Sequence, residues 1–148
     1  MIFFFDYLLT PPWWLVQNDV VVFLHGFLGT GGDWIATMKA ISGSARCISI
    51  DLPGHGGSKI QNHDGKEDVL EPNLSIEVVA DVLYKLIHSI TPGKVTLVGY
   101  SMGARIALYM ALTSSFSDKV YWLILEVLIL ILIWTYDNWD SYKLKPCD

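Results

Sequence analysis

Basic residues and cysteines are scarce in this sequence, and each scarcity excludes a class of protein. The 148 residues include ten Lys and Arg against fifteen Asp and Glu, and no basic residue precedes Lys39. Because nucleic-acid binding depends on a clustered basic surface, the net charge of −5 argues against a nucleic-acid partner. Two cysteines are too few for a disulfide framework, and Cys47 lies in an apolar run where a buried, reduced thiol is expected. No metal-ligand spacing is present, so no metal site is expected.

Targeting signals are not recognisable at the amino end. Residues 1–16 are apolar and aromatic, with Asp6 among them. A secretory signal begins with positive charge and ends at a small-residue cleavage site, and an organelle transit peptide is rich in Arg and Ser. Residues 1–16 have neither character, so the residues themselves assign no compartment. We expect residues 1–19 to form an irregular N-terminal extension.

Apolar residues make up 52% of the chain and fall into short runs that alternate with amphipathic segments. Runs of β-branched and apolar residues predict buried strands at 20–24, 47–50 and 95–98. Helical periodicity predicts helices at 33–41, 75–90 and 102–112, with Ser75 as the N-cap of the second. Strands that alternate with helices predict an α/β fold with a parallel sheet and right-handed crossovers. The polar segment 59–73 predicts a surface loop.

Residues 99–103 read Gly-Tyr-Ser-Met-Gly at the junction between the third predicted strand and the helix that follows it. In this context the pattern is typical of a nucleophile elbow, a strained turn that projects the serine oxygen above a sheet. Gly99 and Gly103 leave room for neighbouring backbone. The helix N-terminus supplies unpaired N–H groups that favour developing negative charge. Ser101 is therefore the candidate catalytic residue.

The loop after the first predicted strand, residues 25–27, reads His-Gly-Phe. It stands where the second half of an oxyanion hole is expected, and the predicted donors are the backbone N–H groups of Phe27 and Met102. His25 lies on a different strand from the one that carries a triad base. A role in holding the loop is therefore favoured over general-base chemistry for His25.

The loop after the second predicted strand, residues 51–58, reads Asp-Leu-Pro-Gly-His-Gly-Gly-Ser. Its Pro and Gly residues predict a turn that carries the chain away from the sheet. His55 is expected to stabilise this turn rather than to catalyse. His63 and His88 are expected to be surface residues and receive no role.

The three motifs at these spacings resemble the α/β-hydrolase superfamily. Within it, residues 25–29 (His-Gly-Phe-Leu-Gly) and 99–105 (Gly-Tyr-Ser-Met-Gly-Ala-Arg) are similar to the 2-succinyl-6-hydroxy-2,4-cyclohexadiene-1-carboxylate synthases of menaquinone and phylloquinone synthesis, including plant multidomain members. The resemblance covers residues 20–120, and the extension to Arg105 is what points to this branch. It implies the α/β-hydrolase fold, of which residues 20–120 would be a partial domain without the later strands and the cap.

The resemblance implies a lyase reaction in which a proton is abstracted from a small carboxylate substrate and pyruvate is eliminated. Ser101 would be the activated base, and the N–H groups of Phe27 and Met102 would stabilise the developing oxyanion. The implied substrate-binding residues are Arg105, Tyr100 and His25. A guanidinium fork suits the binding of a carboxylate, whereas the bare sequence leaves open that Arg105 is a solvated helix residue. No cofactor is implied, and a plastid location is expected only if the chain follows the plant members.

The chain departs from the family pattern after Ser101. The family order is serine, then an acid, then histidine, but no histidine follows residue 101. Asp137 and Asp140 do follow, in a segment whose sequence does not resemble the family. We therefore expect a truncated domain that is inactive alone, because the loss of triad residues costs about 10⁴-fold to 10⁶-fold in turnover. An ester or thioester hydrolase of the same superfamily and a non-catalytic or membrane-associated fragment are the alternative functions.

Residues 121–134 are apolar except for Glu126 and leave three interpretations open. Residues 123–125 could substitute for the next buried strand. Membrane contact is the weaker interpretation, because about 15 apolar residues fall short of the ~20 that span a bilayer. We favour the third interpretation, in which residues 121–148 are a non-homologous apolar tail appended after the truncated domain. It overlaps with the first.

Overall fold

The computed structural model describes residues 20–59 and 74–126, in which strands and helices alternate as the sequence predicts. Within these ranges the elements are β1 (Val20–Leu24), α1 (Ile35–Ile41), β2 (Arg46–Ile50), α2 (Ile76–Ile90), β3 (Val95–Tyr100), α3 (Met102–Leu112), α4 (Ser114–Ser117) and β4 (Val120–Glu126). A short 3-10 turn, Gly31–Trp34, leads into α1 and takes up the start of the helix predicted there. The bounds of β1 and α3 are those predicted, whereas β3 continues two residues beyond its predicted end.

The strands β1 to β4 form one parallel sheet in the order β2-β1-β3-β4. Leu24, at the end of β1, pairs with Ile50 of β2 and with Gly99 of β3, and Tyr100 pairs with Glu126 of β4. Because the strands run in the same direction, their carboxyl ends meet at one edge of the sheet. Ligands of open α/β sheets bind at this edge. The predicted α/β fold with a parallel sheet is confirmed.

Alternate side chains of the strands pack into apolar cores on opposite faces of the sheet. The larger core includes Val22 and Leu97, and α2 and α3 cover it. The smaller core contains Phe23, Cys47 and, from α1, Met38. Cys47 is a buried free thiol whose pKa is raised by burial, as expected of an unreactive core cysteine. Helices on both faces explain why the strands read as nearly continuous apolar runs.

Helix α2 begins and ends at residues whose chemistry limits a helix. The Ser75 hydroxyl accepts a hydrogen bond from the N–H of Val78 over 3.5 Å, which is the predicted N-cap. At the other end the N–H of Thr91 donates to the carbonyl of Ile87, and Pro92 follows, which cannot continue the helix. Between these limits α2 buries one face in the larger core.

Strand β4 joins the sheet through a β-bulge near its start. The pairing with β3 skips Tyr121, which is the extra residue of the bulge. Side chains of a strand alternate between faces, so residues three positions apart normally face opposite sides. The bulge turns both Val120 and Leu123 toward the larger core. Residues 123–125, for which the sequence left a strand interpretation open, lie within β4.

Several predictions fall outside the described residues. They are the irregular extension 1–19, nearly all of the surface loop 59–73 and the tail beyond residue 126. The predicted division of the chain after residue 120 stays a prediction, and it falls at the first residue of β4. Within residues 20–59 and 74–126, no helix is long and apolar enough to cross a bilayer. The longest helix in that part of the chain, α2, has 15 residues.

Candidate active site

Ser101 occupies the turn between β3 and α3, as the motif predicts. Its φ of 50° and ψ of −107° lie in a region that non-glycine residues rarely adopt, and such strain costs on the order of 1–3 kcal/mol. The carbonyl of Ser101 accepts a hydrogen bond from the N–H of Arg105 over 3.2 Å, in the first turn of α3. The Ser101 hydroxyl caps no N–H group of α3, which leaves it available for chemistry.

The glycines of the motif are required by close backbone contacts. A Cβ atom on Gly99 would lie 2.6 Å from the Cα of Ala104 in α3. A Cβ atom on Gly103 would lie 2.6 Å from the carbonyl oxygen of His25, in the loop after β1. Both distances are far below van der Waals contact. Helix α3 therefore packs against β1 and β3 at a separation that larger residues would prevent.

The predicted oxyanion donors lie on loops that the sheet register brings together. The last residue of β1, Leu24, pairs with Gly99, one residue before the end of β3, so the loop that carries Phe27 and the elbow open side by side. A Cβ atom on Gly26 would be 3.4 Å from the Cβ of Ser101, which shows that the loop touches the elbow. Met102 opens α3, and the N–H groups of a first helical turn have no partner within the helix. The placement suits two backbone donors to one anion, and their role stays a prediction.

The His25 side chain holds the loops after β1 and β2 together. It is 1% exposed, and its Nε2 accepts a hydrogen bond from the N–H of Leu52 over 2.9 Å. Its Nδ1 lies 2.7 Å from the carbonyl oxygen of Gly26 and therefore carries the hydrogen and donates. Burial lowers the pKa of His25, in keeping with the neutral ring that these bonds require. Both ring nitrogens thus have backbone partners, and the substrate contact that the resemblance implies for His25 stays a prediction.

Asp51, at the end of β2, is a buried carboxylate that organises the loop after it. It is 1% exposed and accepts hydrogen bonds from the N–H groups of Gly31 and Gly57, each over 2.7 Å. One carboxylate thus joins the 3-10 turn to the turn at 51–58. Because such bonds to a buried charge are strong, the loop that carries His55 is held firmly next to the elbow.

Two cavities lie beside the elbow in the described part of the chain. The first, here called the Trp34 cavity, measures about 280 Å³ and is lined by His25, Gly26, Asp33, Trp34, Tyr100 and Glu126. The second, the Arg105 cavity, measures about 250 Å³. Apolar side chains from α2, α3 and the loop after β2 line it, together with Met102, His55 and Arg105. Tyr100 and Met102 flank Ser101 and line different cavities, so the elbow lies between the two.

The predicted site residues divide between these cavities. Arg105 and Met102 line the Arg105 cavity, whereas Tyr100 and His25 line the Trp34 cavity. Arg105 is exposed one helical turn beyond the elbow. A guanidinium beside an apolar space can bind the carboxylate of a ligand whose remainder is apolar. Phe27 is 71% exposed, so its predicted contribution is through its backbone.

Some residues of the site were not predicted from the sequence. Asp33, Trp34 and Glu126 line the Trp34 cavity. Glu126 had a recognisable signal, because it is the lone charge in an apolar run and stands at the carboxyl end of a strand. Trp34 had none, since its indole reaches the cavity only through the fold. In residues 20–59 and 74–126, no group of His, Cys, Asp and Glu could hold a metal ion.

A parallel sheet with a strained serine at its carboxyl edge is typical of one class of enzymes. Comparison of the sequence with known protein families leads to the same class. The family model of the α/β hydrolase fold matches residues 19–127. The chain therefore belongs to the α/β-hydrolase fold family. The match extends through β4, whereas the resemblance ended at residue 120, the first residue of that strand.

Individual relatives narrow the comparison. The chloroplastic protein PHYLLO of Arabidopsis thaliana is 62% identical over 104 residues, which are 70% of this chain and 6% of that protein. The putative 2-succinyl-6-hydroxy-2,4-cyclohexadiene-1-carboxylate synthase of Haemophilus influenzae is 39% identical over 92 residues, 62% of this chain and 33% of that protein. MenH from S. aureus matches with a TM-score of 0.60 and 31% identity, over 74% of this chain and 38% of that chain. The predicted resemblance is confirmed, and the chain spans about a third of the length of the bacterial relatives.

Proposed function

We propose that this chain carries the elbow of a lyase that forms 2-succinyl-6-hydroxy-2,4-cyclohexadiene-1-carboxylate by proton abstraction and pyruvate elimination, a step of menaquinone and phylloquinone synthesis. The observation that carries the proposal is the strained turn of Ser101 with Arg105 one helical turn away, at the mouth of an apolar cavity. Identity of 62% to PHYLLO and 39% to a named synthase supports this choice within the family. The chloroplastic relative also supports a plastid location.

Each residue of the site has a task in this proposal. Arg105 holds a carboxylate of the substrate, and the N–H groups of Phe27 and Met102 hold the oxyanion that forms as the proton leaves. Ser101 takes that proton and needs a histidine as its own base. No histidine follows Ser101 in the 148 residues, and both nitrogens of His25 have backbone partners. The 148-residue chain is therefore expected to bind the ligand without turning it over.

Binding of the reaction product tests this function without requiring turnover. The full 148-residue chain is titrated calorimetrically with 2-succinyl-6-hydroxy-2,4-cyclohexadiene-1-carboxylate, and saturable binding is expected. Arg105→Met should weaken the affinity about 10-fold to 100-fold, because a hydrogen-bonded charge pair is lost. Lys94→Met is the matched control, since Lys94 is an exposed cation just before β3, at the opposite end of that strand from the elbow. No saturable binding, or equal losses in both variants, would contradict the proposal.

The hydrolase alternative predicts a different pair of results. An ester or thioester hydrolase of the same family would cleave p-nitrophenyl acetate through Ser101 and would show no affinity for the lyase product. Ester cleavage that depends on Ser101, together with no product binding, would replace the lyase with the hydrolase.

A further inference from the structure

The ring of His55 lies between the loop after β1 and the Arg105 cavity. It packs against His25 with ring centroids 5.2 Å apart and meets the ring of Phe27 edge-on at 6.1 Å. It also lines the Arg105 cavity, of which Arg105 is the charged member. A residue whose only task was to close the turn at 51–58 would not need to reach both the oxyanion loop and the cavity.

The hydrogen bonding of His55 fixes which nitrogen remains for a ligand. Its Nδ1 lies 3.1 Å from the carbonyl oxygen of Pro53. A carbonyl oxygen only accepts, so Nδ1 carries the hydrogen and donates. In the neutral ring Nε2 is then a hydrogen-bond acceptor, and in the described part of the chain it has no protein donor. The turn therefore uses one nitrogen and leaves the other available.

The remaining walls of the Arg105 cavity are apolar, with Ile76, Val79 and Ile106 among them. In addition to the Arg105 cation, the cavity therefore offers one acceptor when the His55 ring is neutral, and hydrocarbon surrounds both groups. This set complements a cyclic hydrocarbon that carries a carboxylate and a hydroxyl group close together, since the carboxylate needs donors and the hydroxyl can donate. The product named for the synthase relatives has a carboxylate on ring carbon 1 and a hydroxyl on the neighbouring carbon 6.

We propose that His55 is a substrate-binding residue that accepts a hydrogen bond from the ligand hydroxyl next to the carboxylate held by Arg105. This inference rests on the proposed function and deepens it, because it assigns recognition of the ligand hydroxyl to His55. From the sequence, His55 was expected only to stabilise the turn at 51–58. His55 thereby distinguishes a hydroxy acid from the corresponding simple acid.

Two substitutions separate ligand binding from turn stabilisation. His55→Asn places an amide nitrogen near the position of Nδ1, so it can keep the bond to Pro53 and has nothing at the position of Nε2. His55→Gln places its amide near the position of Nε2, so it can keep the ligand contact and loses the bond to the turn. A purely structural role predicts that Asn is the better replacement, and the proposed role predicts Gln.

The probes are 2-hydroxycyclohexane-1-carboxylate and cyclohexanecarboxylate, titrated calorimetrically into the full 148-residue chain. The unmodified chain should prefer the hydroxy acid about fivefold, the effect expected of one neutral hydrogen bond. His55→Asn should abolish the preference and leave the affinity for cyclohexanecarboxylate unchanged, and His55→Gln should retain most of the preference. A preference that survives in His55→Asn, or is absent from the unmodified chain, would overturn the inference.

Failure of this inference and failure of the proposed function give different results. Product binding that depends on Arg105, without any effect of His55→Asn on the hydroxyl preference, would remove the role of His55 and leave the lyase function in place. A hydroxyl preference that depends on His55, in a chain without affinity for the product, would keep the hydroxy-acid site and reject the lyase. Cooperative melting of both His55 variants shows that the comparison is made on folded protein.

Discussion

The backbone N–H of Ser101 donates a hydrogen bond to the carbonyl oxygen of Glu126 over 2.9 Å, so the last residue of β4 holds the strained turn of the elbow. The same residue pairs with Tyr100 and lines the Trp34 cavity. A strand whose sequence looks unlike the rest of the domain is therefore part of the site. It follows that loosening β4 from the sheet should also loosen the elbow.

Substitution of Leu123 tests whether β4 is fixed by its contact with the larger core. Leu123→Asp would place a carboxylate against apolar side chains of that core. We expect the free energy of unfolding to fall by about 1–3 kcal/mol, because a charge without a partner is desolvated there. Urea denaturation of the 148-residue chain measures the change.

The control lies two residues earlier in the same strand. Tyr121 is the bulge residue and is 63% exposed, so Tyr121→Asp should change the free energy of unfolding by about 0.5 kcal/mol or less. Equal losses from Tyr121→Asp and Leu123→Asp would mean that the bulge does not orient this strand as described.

The difference between β3 and β4 shows what a sequence alone can reveal. The strand, elbow and helix around Ser101 are encoded within the consecutive residues 95–112, so their pattern gave the position of each to within two residues. The inward direction of Leu123 depends on a bulge, which arises from pairing with another strand and has no local signal. The predicted loop-holding role of His25 agrees with its bonds, but its partner Leu52 is 27 residues away and only the fold brings them together. The cavities also lack a local sequence signal, since residues such as Trp34 and Glu126 come together only after folding.

A methyl group at position 103 should be costly. The Cβ of Gly103→Ala would be forced against the carbonyl groups of Leu24 and His25, which are backbone atoms that cannot turn aside. We expect a loss of about 1–3 kcal/mol in the free energy of unfolding, as for other overpacked sites. Thermal and urea unfolding should agree on this loss.

Gly43 provides the matched control for the same substitution. A Cβ atom on Gly43 would meet no atom within 4 Å. Gly43→Ala should therefore be neutral or stabilising by up to about 1 kcal/mol, because it restricts the unfolded chain. If Gly103→Ala is as stable as Gly43→Ala, then α3 does not approach β1 as closely as the structure shows.

The stability of the fold should decline in mild acid because of His25. Burial lowers the pKa of His25 below its ordinary value of 6.5, so the unfolded chain binds a proton there at a higher pH than the folded chain does. The free energy of unfolding should therefore fall as the pH drops below about 6.5, and the loss should continue down to the lowered pKa of the folded state. His25→Gln removes this titration and keeps an acceptor for the N–H of Leu52, so its stability should depend less on pH between about pH 7 and pH 5.

The unmodified chain, measured in parallel, separates this effect from a general one. Any pH dependence of stability that His25→Gln shares with the unmodified chain arises from other groups. Indistinguishable pH profiles for His25→Gln and the unmodified chain would show that His25 does not titrate between the folded and unfolded states.

The 148-residue chain should show no turnover that depends on Ser101. A serine hydroxyl becomes a base or nucleophile only when a neighbouring group accepts its proton. In this fold that group is a histidine later in the sequence, and no histidine follows Ser101 here. Pyruvate release from the lyase substrate and p-nitrophenol release from p-nitrophenyl acetate should therefore agree within about tenfold between the unmodified chain and Ser101→Ala. Both proteins should melt cooperatively, which shows that the elbow was tested in a folded sheet. A loss of more than ~10³-fold in Ser101→Ala would instead show that a group within this chain activates Ser101. His55 would then be the first residue to replace, because it lines the cavity beside Met102. Only its Nδ1 is bonded to the turn, which leaves Nε2 available to accept a proton.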